Sequence, residues 1–128
     1  MKTAQVTAAF LMALGVASGA FGAHALRDSV PAPDLLIWEK AVLYQLIHAL
    51  AALCVASSSG LLMSARARLA ITWMLLVSIV IFSGTLYVLV LANMRWLGMI
   101  TPLGGSGFIA AWLLLAFQLL KAPSNGTN

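Results

Sequence analysis

Charge is what this chain has least of. Seven Lys and Arg and three Asp and Glu make up 8% of 128 residues, against 62% hydrophobic residues. A soluble domain carries about 25% charged residues. With a mean hydropathy of +1.03, the chain lacks the polar surface that water requires, which excludes a water-soluble globular domain. The basic residues Lys2, Arg27, Lys40, Arg66, Arg68, Arg95 and Lys121 are scattered rather than clustered, which excludes a nucleic-acid interface despite the net charge of +4. The single Cys54 excludes an intrachain disulfide and reads as packing.

Long uncharged runs are present instead. They cover 3–26, 41–65, 69–94 and 96–120, or 24, 25, 26 and 25 residues. Each exceeds the roughly 20 apolar residues that cross a hydrocarbon core about 30 Å thick. The runs are continuous, whereas the strands of a membrane barrel alternate in segments of about ten residues. The expectation is an all-α, integral membrane four-helix bundle: one membrane domain over 1–128, with helices at about 4–25, 38–57, 69–92 and 101–121. Residues 122–128 are short, polar and read as a disordered tail. Lys2, the apolar stretch after it and Ala23-His24-Ala25 imitate a secretory signal with its cleavage site. The apolar part is longer than a signal core, so the first helix is expected to be retained.

Punctuation between the runs supplies detail. Gly15, Gly19 and Gly22 form a small-residue stripe on the first helix, read as a packing surface within the monomer. Pro31 and Pro33 should keep the first loop out of the hydrocarbon, with Trp38 as an interfacial aromatic where the second helix begins. Thr101-Pro102 reads as N-cap and first helical residue, followed by Gly104, Gly105 and Gly107. Four spans place both termini on one side, with Lys2, Arg66, Arg68 and Lys121 there and Arg27, Lys40 and Arg95 opposite. Positive-inside reasoning then predicts cytoplasmic termini, and the expected location is a bacterial inner membrane.

Polar side chains within the runs are few and positioned. A helix rises about 1.5 Å per residue, so Tyr44, Gln45 and His48 lie about 9, 10 and 15 Å below Trp38, while Tyr87 and Ser83 lie about 8 and 14 Å inside Ala92. Ser106 falls near the start of the last helix, and His24 and Glu39 mark the rim of the same half-bilayer. Tyr44, Gln45 and His48 share a helical face, as do Ser83 and Tyr87, and both faces should point inward because lipid cannot satisfy them. Two readings follow: hydrogen bonds that hold the spans together, or a functional cavity. His24 and His48 are too far apart in depth to ligate one metal, and nothing marks an acid partner or oxyanion hole for Ser83 or Ser106.

The blocks GAFGAHAL at 19–26, Tyr44-Gln45 with His48-Ala49-Leu50, Ser83-Gly84-Thr85-Leu86-Tyr87, and Thr101-Pro102-Leu103-Gly104-Gly105 resemble the small membrane proteins catalogued as domain of unknown function 423, whose animal members are called transmembrane protein 256. The resemblance covers about residues 8–118. It implies a four-helix integral membrane protein with its first helix retained, and it brings no activity, substrate or cofactor. Its motif positions coincide with the polar residues, making His24, Tyr44, Gln45, His48, Ser83, Tyr87, Thr101 and Gly104 the candidate site, with Glu39 and Ser106 beside them.

The functional expectation is a non-enzymatic membrane component, without metal or cofactor, whose partners are lipids, other membrane proteins or a second copy of itself. The alternative is a small transporter or channel component in which His48, Tyr44 and Gln45 line a path. The runs Leu75–Ile81 and Leu113–Phe117 offer few polar groups to continue such a path.

Overall fold

The computed structural model describes residues 1–58 and 63–121. Residues 59–62, within the expected connection between the second and third helices, and the expected tail at 122–128 lie outside them. The elements are α1 (Lys2–Phe21), a π-helical turn (Gly22–Leu26), α2 (Ala32–Ser57), α3 (Ala65–Ala92), a 3-10 turn (Arg95–Met99) and α4 (Thr101–Lys121). All four segments are long and apolar enough to cross a membrane.

Two helices begin a full turn or more before their uncharged runs. The α2 helix starts at Ala32 rather than near Trp38, because Pro33 falls in the first turn, where backbone N–H groups have no intrahelical partner to lose. Asp34 in that turn complements the positive end of the helix dipole. Similarly, α3 starts at Ala65 rather than Leu69, capped by Ser64, whose hydroxyl accepts from the amide of Ala67 at 3.2 Å. Charge ends the apolar stretch; it does not end the helix. At 26 residues, α2 is about 39 Å long and overruns a core of about 30 Å. Glu39 and Lys40 are exposed on it, so the excess stands at the Asp34 end, above the hydrocarbon.

The helices pack in chain order: α1 on α2, α2 on α3, α3 on α4. The two middle helices are therefore covered on both sides, and the outer two keep broad apolar faces, with Val6, Phe10, Leu113 and Leu120 exposed. One core lies toward the termini, built by Ala4 and Ala8 of α1, Ala49 and Ala52 of α2, Ile71, Leu75, Leu76 and Ile79 of α3, and Phe108 and Ala111 of α4. The other lies toward the opposite end, around Leu26, Trp38, Ala41, Leu86, Leu89 and Leu97.

Small residues set the spacing. Gly15, Gly19 and Gly22 of α1 and its π turn all face α2: a Cβ on them would lie 2.7 Å from Leu46, 3.4 Å from Val42 and 2.6 Å from the Trp38 ring. The stripe is thus a packing surface within the chain. On α4, a Cβ at Gly104 would lie 2.5 Å from the backbone nitrogen of Phe82, so α3 and α4 meet there backbone to backbone. Asn93 ends α3 in the left-handed region at φ 54°, a position asparagine tolerates.

Candidate polar site between the helices

The polar side chains of the interior form three groups. The first joins α1, α2 and α3 through Gln45, which is 3% exposed. Its amide nitrogen donates to the carbonyl of Leu11 at 2.7 Å, and its amide oxygen accepts from the Tyr87 hydroxyl at 2.8 Å. Tyr87 is backed by the Trp38 ring, with centroids 4.5 Å apart. The Trp38 indole N–H in turn donates to the carbonyl of Ser18 at 2.8 Å. At 4% exposed, Trp38 is an internal wedge seated on Gly22 rather than the interfacial aromatic its position suggested. The glycine removes the side chain that would occupy the ring's place.

A second group ties α3 to its two neighbours. Ser83 donates to the carbonyl of Ala41 on α2 at 2.7 Å. Two positions on, roughly 200° around the helix, Thr85 bonds Thr101 of α4 hydroxyl to hydroxyl at 2.8 Å. Thr101 also donates back to the carbonyl of Leu97 at 3.2 Å. Its hydroxyl therefore bridges helices instead of capping the start of α4 as expected. The close approach at Gly104 lies one turn further along.

The third group surrounds His48, which is 7% exposed. Its ring stacks on Phe108 of α4 with centroids 3.6 Å apart and on Tyr44 at 5.6 Å; Tyr44 stacks on Phe82 of α3 at 4.4 Å. His48 Nδ1 is 2.7 Å from the carbonyl of Tyr44. These aromatics line a groove of about 550 Å³ between α2 and α4, floored by Phe82.

Three expected members stand apart. His24 projects outward from the π turn, Glu39 is exposed on α2, and Ser106 faces outward on α4, where its hydroxyl bonds back to Pro102 at 2.9 Å. Each lies on the opposite side of its helix from the packed face. Gln45 and His48 also belong to different groups, although they share a helical face.

Several contacts were not evident in the sequence. Arg95 forms a two-pronged ion pair with Asp34, both distances 2.7 Å, fastening the start of α2 to the α3–α4 turn. The carboxylate is buried and the guanidinium half exposed, a geometry that suits arginine's planar fork. The residues are 61 positions apart, so no local pattern pairs them. Ser18 and Gly22, one helical turn apart, were the available signal for the Trp38 seat. Thr85 was visible as a second hydroxyl on the other face of α3 from Ser83.

Chemically, this interior is suited to joining helices. Gln45, Trp38 and Ser83 donate to backbone carbonyls of neighbouring spans, and among the described residues no three or more His, Cys, Asp or Glu side chains gather.

Comparison with known proteins agrees with this architecture. A family model described as "Protein of unknown function (DUF423)" matches residues 18–105. The chain is 43% identical to a UPF0382 membrane protein of Staphylococcus epidermidis, covering 94% of this chain and 98% of that one. It is 40% identical to one of Staphylococcus saprophyticus, covering 94% and 99%, and 36% identical to one of Bacillus subtilis, covering 94% and 98%. No solved structure matches. With four apolar spans and relatives named as membrane proteins over nearly their full length, the chain is a small multi-pass integral membrane protein that belongs to the DUF423 family.

Proposed function

We propose that the protein is a non-enzymatic accessory component of a bacterial cytoplasmic membrane, with both termini in the cytoplasm, acting through lipids and other spans, a second copy of itself included. The observation that carries this reading is the use made of the interior polar groups. Gln45, Trp38 and Ser83 each reach across to a backbone carbonyl of another helix, which is how polar residues tie membrane helices together. The outer faces of α1 and α4 are almost wholly apolar, so whatever meets them shares the bilayer. Orientation follows the four basic residues at the end that carries the termini, against three at the other.

Reconstitution in liposomes tests the reading. Proton and solute permeability should match that of empty liposomes, and Gln45→Leu should lower the unfolding temperature without changing permeability. A pH-dependent flux that disappears in His48→Ala would overturn it in favour of transport.

A further inference from the structure

We propose that the groove between α2 and α4 binds a hydrocarbon-soluble molecule presenting a hydroxyl on a flat ring, with His48 Nε2 accepting a hydrogen bond from that hydroxyl. This goes beyond the accessory role and does not depend on it.

The imidazole sets the chemistry. Nδ1 lies 2.7 Å from the Tyr44 carbonyl, and a carbonyl only accepts, so Nδ1 carries the proton. The neutral ring then has its lone pair on Nε2. His48 is 7% exposed, its one side-chain hydrogen bond among the described residues is through Nδ1, and Nε2 is not among the fully enclosed unpaired atoms, so it is reachable from outside the packed interior. That nitrogen is on the edge of the ring farthest from the backbone, and the ring lines the groove. Lys40, eight residues up the helix, places it about 12 Å below the charged rim. Acyl chains offer no donor at that depth, and an unmet acceptor is unfavourable there. A cationic donor would bring a charge into the middle of the bilayer. A neutral hydroxyl meets the requirement without one.

Shape supplies the rest. The rings of Tyr44, Phe82, Phe108 and Trp112 line the groove, and Gly105 leaves its α4 wall without a side chain. At about 550 Å³ the groove falls within the range of small-molecule sites, about 300–1,000 Å³. Leu43, Ile47 and Ile109 at its edge are 54%, 49% and 63% exposed, so an attached alkyl tail can leave directly into the lipid. Tyr44, whose hydroxyl is likewise without a partner among the described residues, is one of the residues lining the same space.

The test uses the full chain in lipid nanodiscs with 15N-labelled histidine. Of the two histidines, exposed His24 serves as the internal reference. The probes are 4-octylphenol, its methyl ether and decanol. The phenol should shift the His48 Nε2 resonance saturably and leave His24 unmoved. The ether, lacking the donor, should bind about fivefold more weakly, the worth of one net hydrogen bond. Decanol should also bind more weakly than the phenol. In His48→Phe, where binding is followed by saturable uptake of isotope-labelled probe, the preference for phenol over ether should vanish. Gly105→Leu should abolish binding with the fold intact, because a Cβ there meets only Phe82, at 3.8 Å, and the rest of the side chain fills the groove. Equal binding of phenol and ether, a preference that survives in His48→Phe, decanol binding as well as phenol, or no saturable shift overturns the proposal.

Discussion

A single glycine or indole decides more here than any charge. Trp38 fits between α1 and α2 only because Gly22 has no side chain, with a Cβ there 2.6 Å from the ring. Gly22→Ala is therefore expected to lower stability by about 1–3 kcal/mol, as overpacking does. Trp38→Phe keeps an aromatic wedge and removes the 2.8 Å bond to Ser18, so the loss should be smaller, near the roughly 0.6 kcal/mol average for such bonds in membranes. Unfolding of both variants in bicelles by a denaturing detergent gives the two values, and a Trp38→Phe loss exceeding that of Gly22→Ala would contradict this ranking. Residue type and local spacing made Gln45, Ser83 and Tyr87 legible as inward-facing groups, since lipid leaves them no other partner. Trp38 was not legible, because an indole at a helix entry suits headgroups and a glycine seat equally well. The seat is visible only once α1 lies beside α2.

Between elements, close contact at glycine holds α3 to α4. A Cβ at Gly104 would lie 2.5 to 2.9 Å from Phe82 backbone and Cβ atoms, whereas one at Gly105 would lie 3.8 Å or more from the Phe82 ring. Gly104→Ala should push the helices apart and cost about 1–3 kcal/mol, and Gly105→Ala should be near neutral. Thermal unfolding of the pair in one detergent checks the contrast, and equal melting temperatures would contradict the backbone contact. The four spans themselves could be read from the uncharged runs. Their beginnings could not, because a helix continues past the hydrocarbon edge wherever its exposed first turns can be solvated. The run starting at Ala41 therefore marked where α2 enters lipid rather than Ala32, where it begins. The ion pair of Asp34 with Arg95 joins two such overhanging ends across 61 residues. Asp34→Asn should leave the spans intact and speed amide exchange in the 95–99 turn, measured by mass spectrometry. Unchanged exchange would show that the turn holds without the pair.

For the whole molecule, the arrangement follows from a solvent that gives polar groups nothing. The helices run in chain order, the middle pair carries most of the interior bonds, and the outer pair presents apolar surface outward. Orientation is tested on a Cys54→Ser background: in intact cells a membrane-impermeant thiol reagent should label Asp28→Cys and spare Ala65→Cys, and the opposite pattern would reverse the assignment. The central claim is that buried polar side chains hold the spans together by bonding across them, and a double-mutant cycle between Gln45 and Tyr87 tests it most directly. Gln45→Leu, Tyr87→Phe and the double variant are unfolded in the same bilayer mimic. A favourable coupling of about 0.6 to 1.7 kcal/mol is predicted, from the average to the maximum measured for hydrogen bonds between membrane helices. Losses that simply add, with no coupling, would contradict the account.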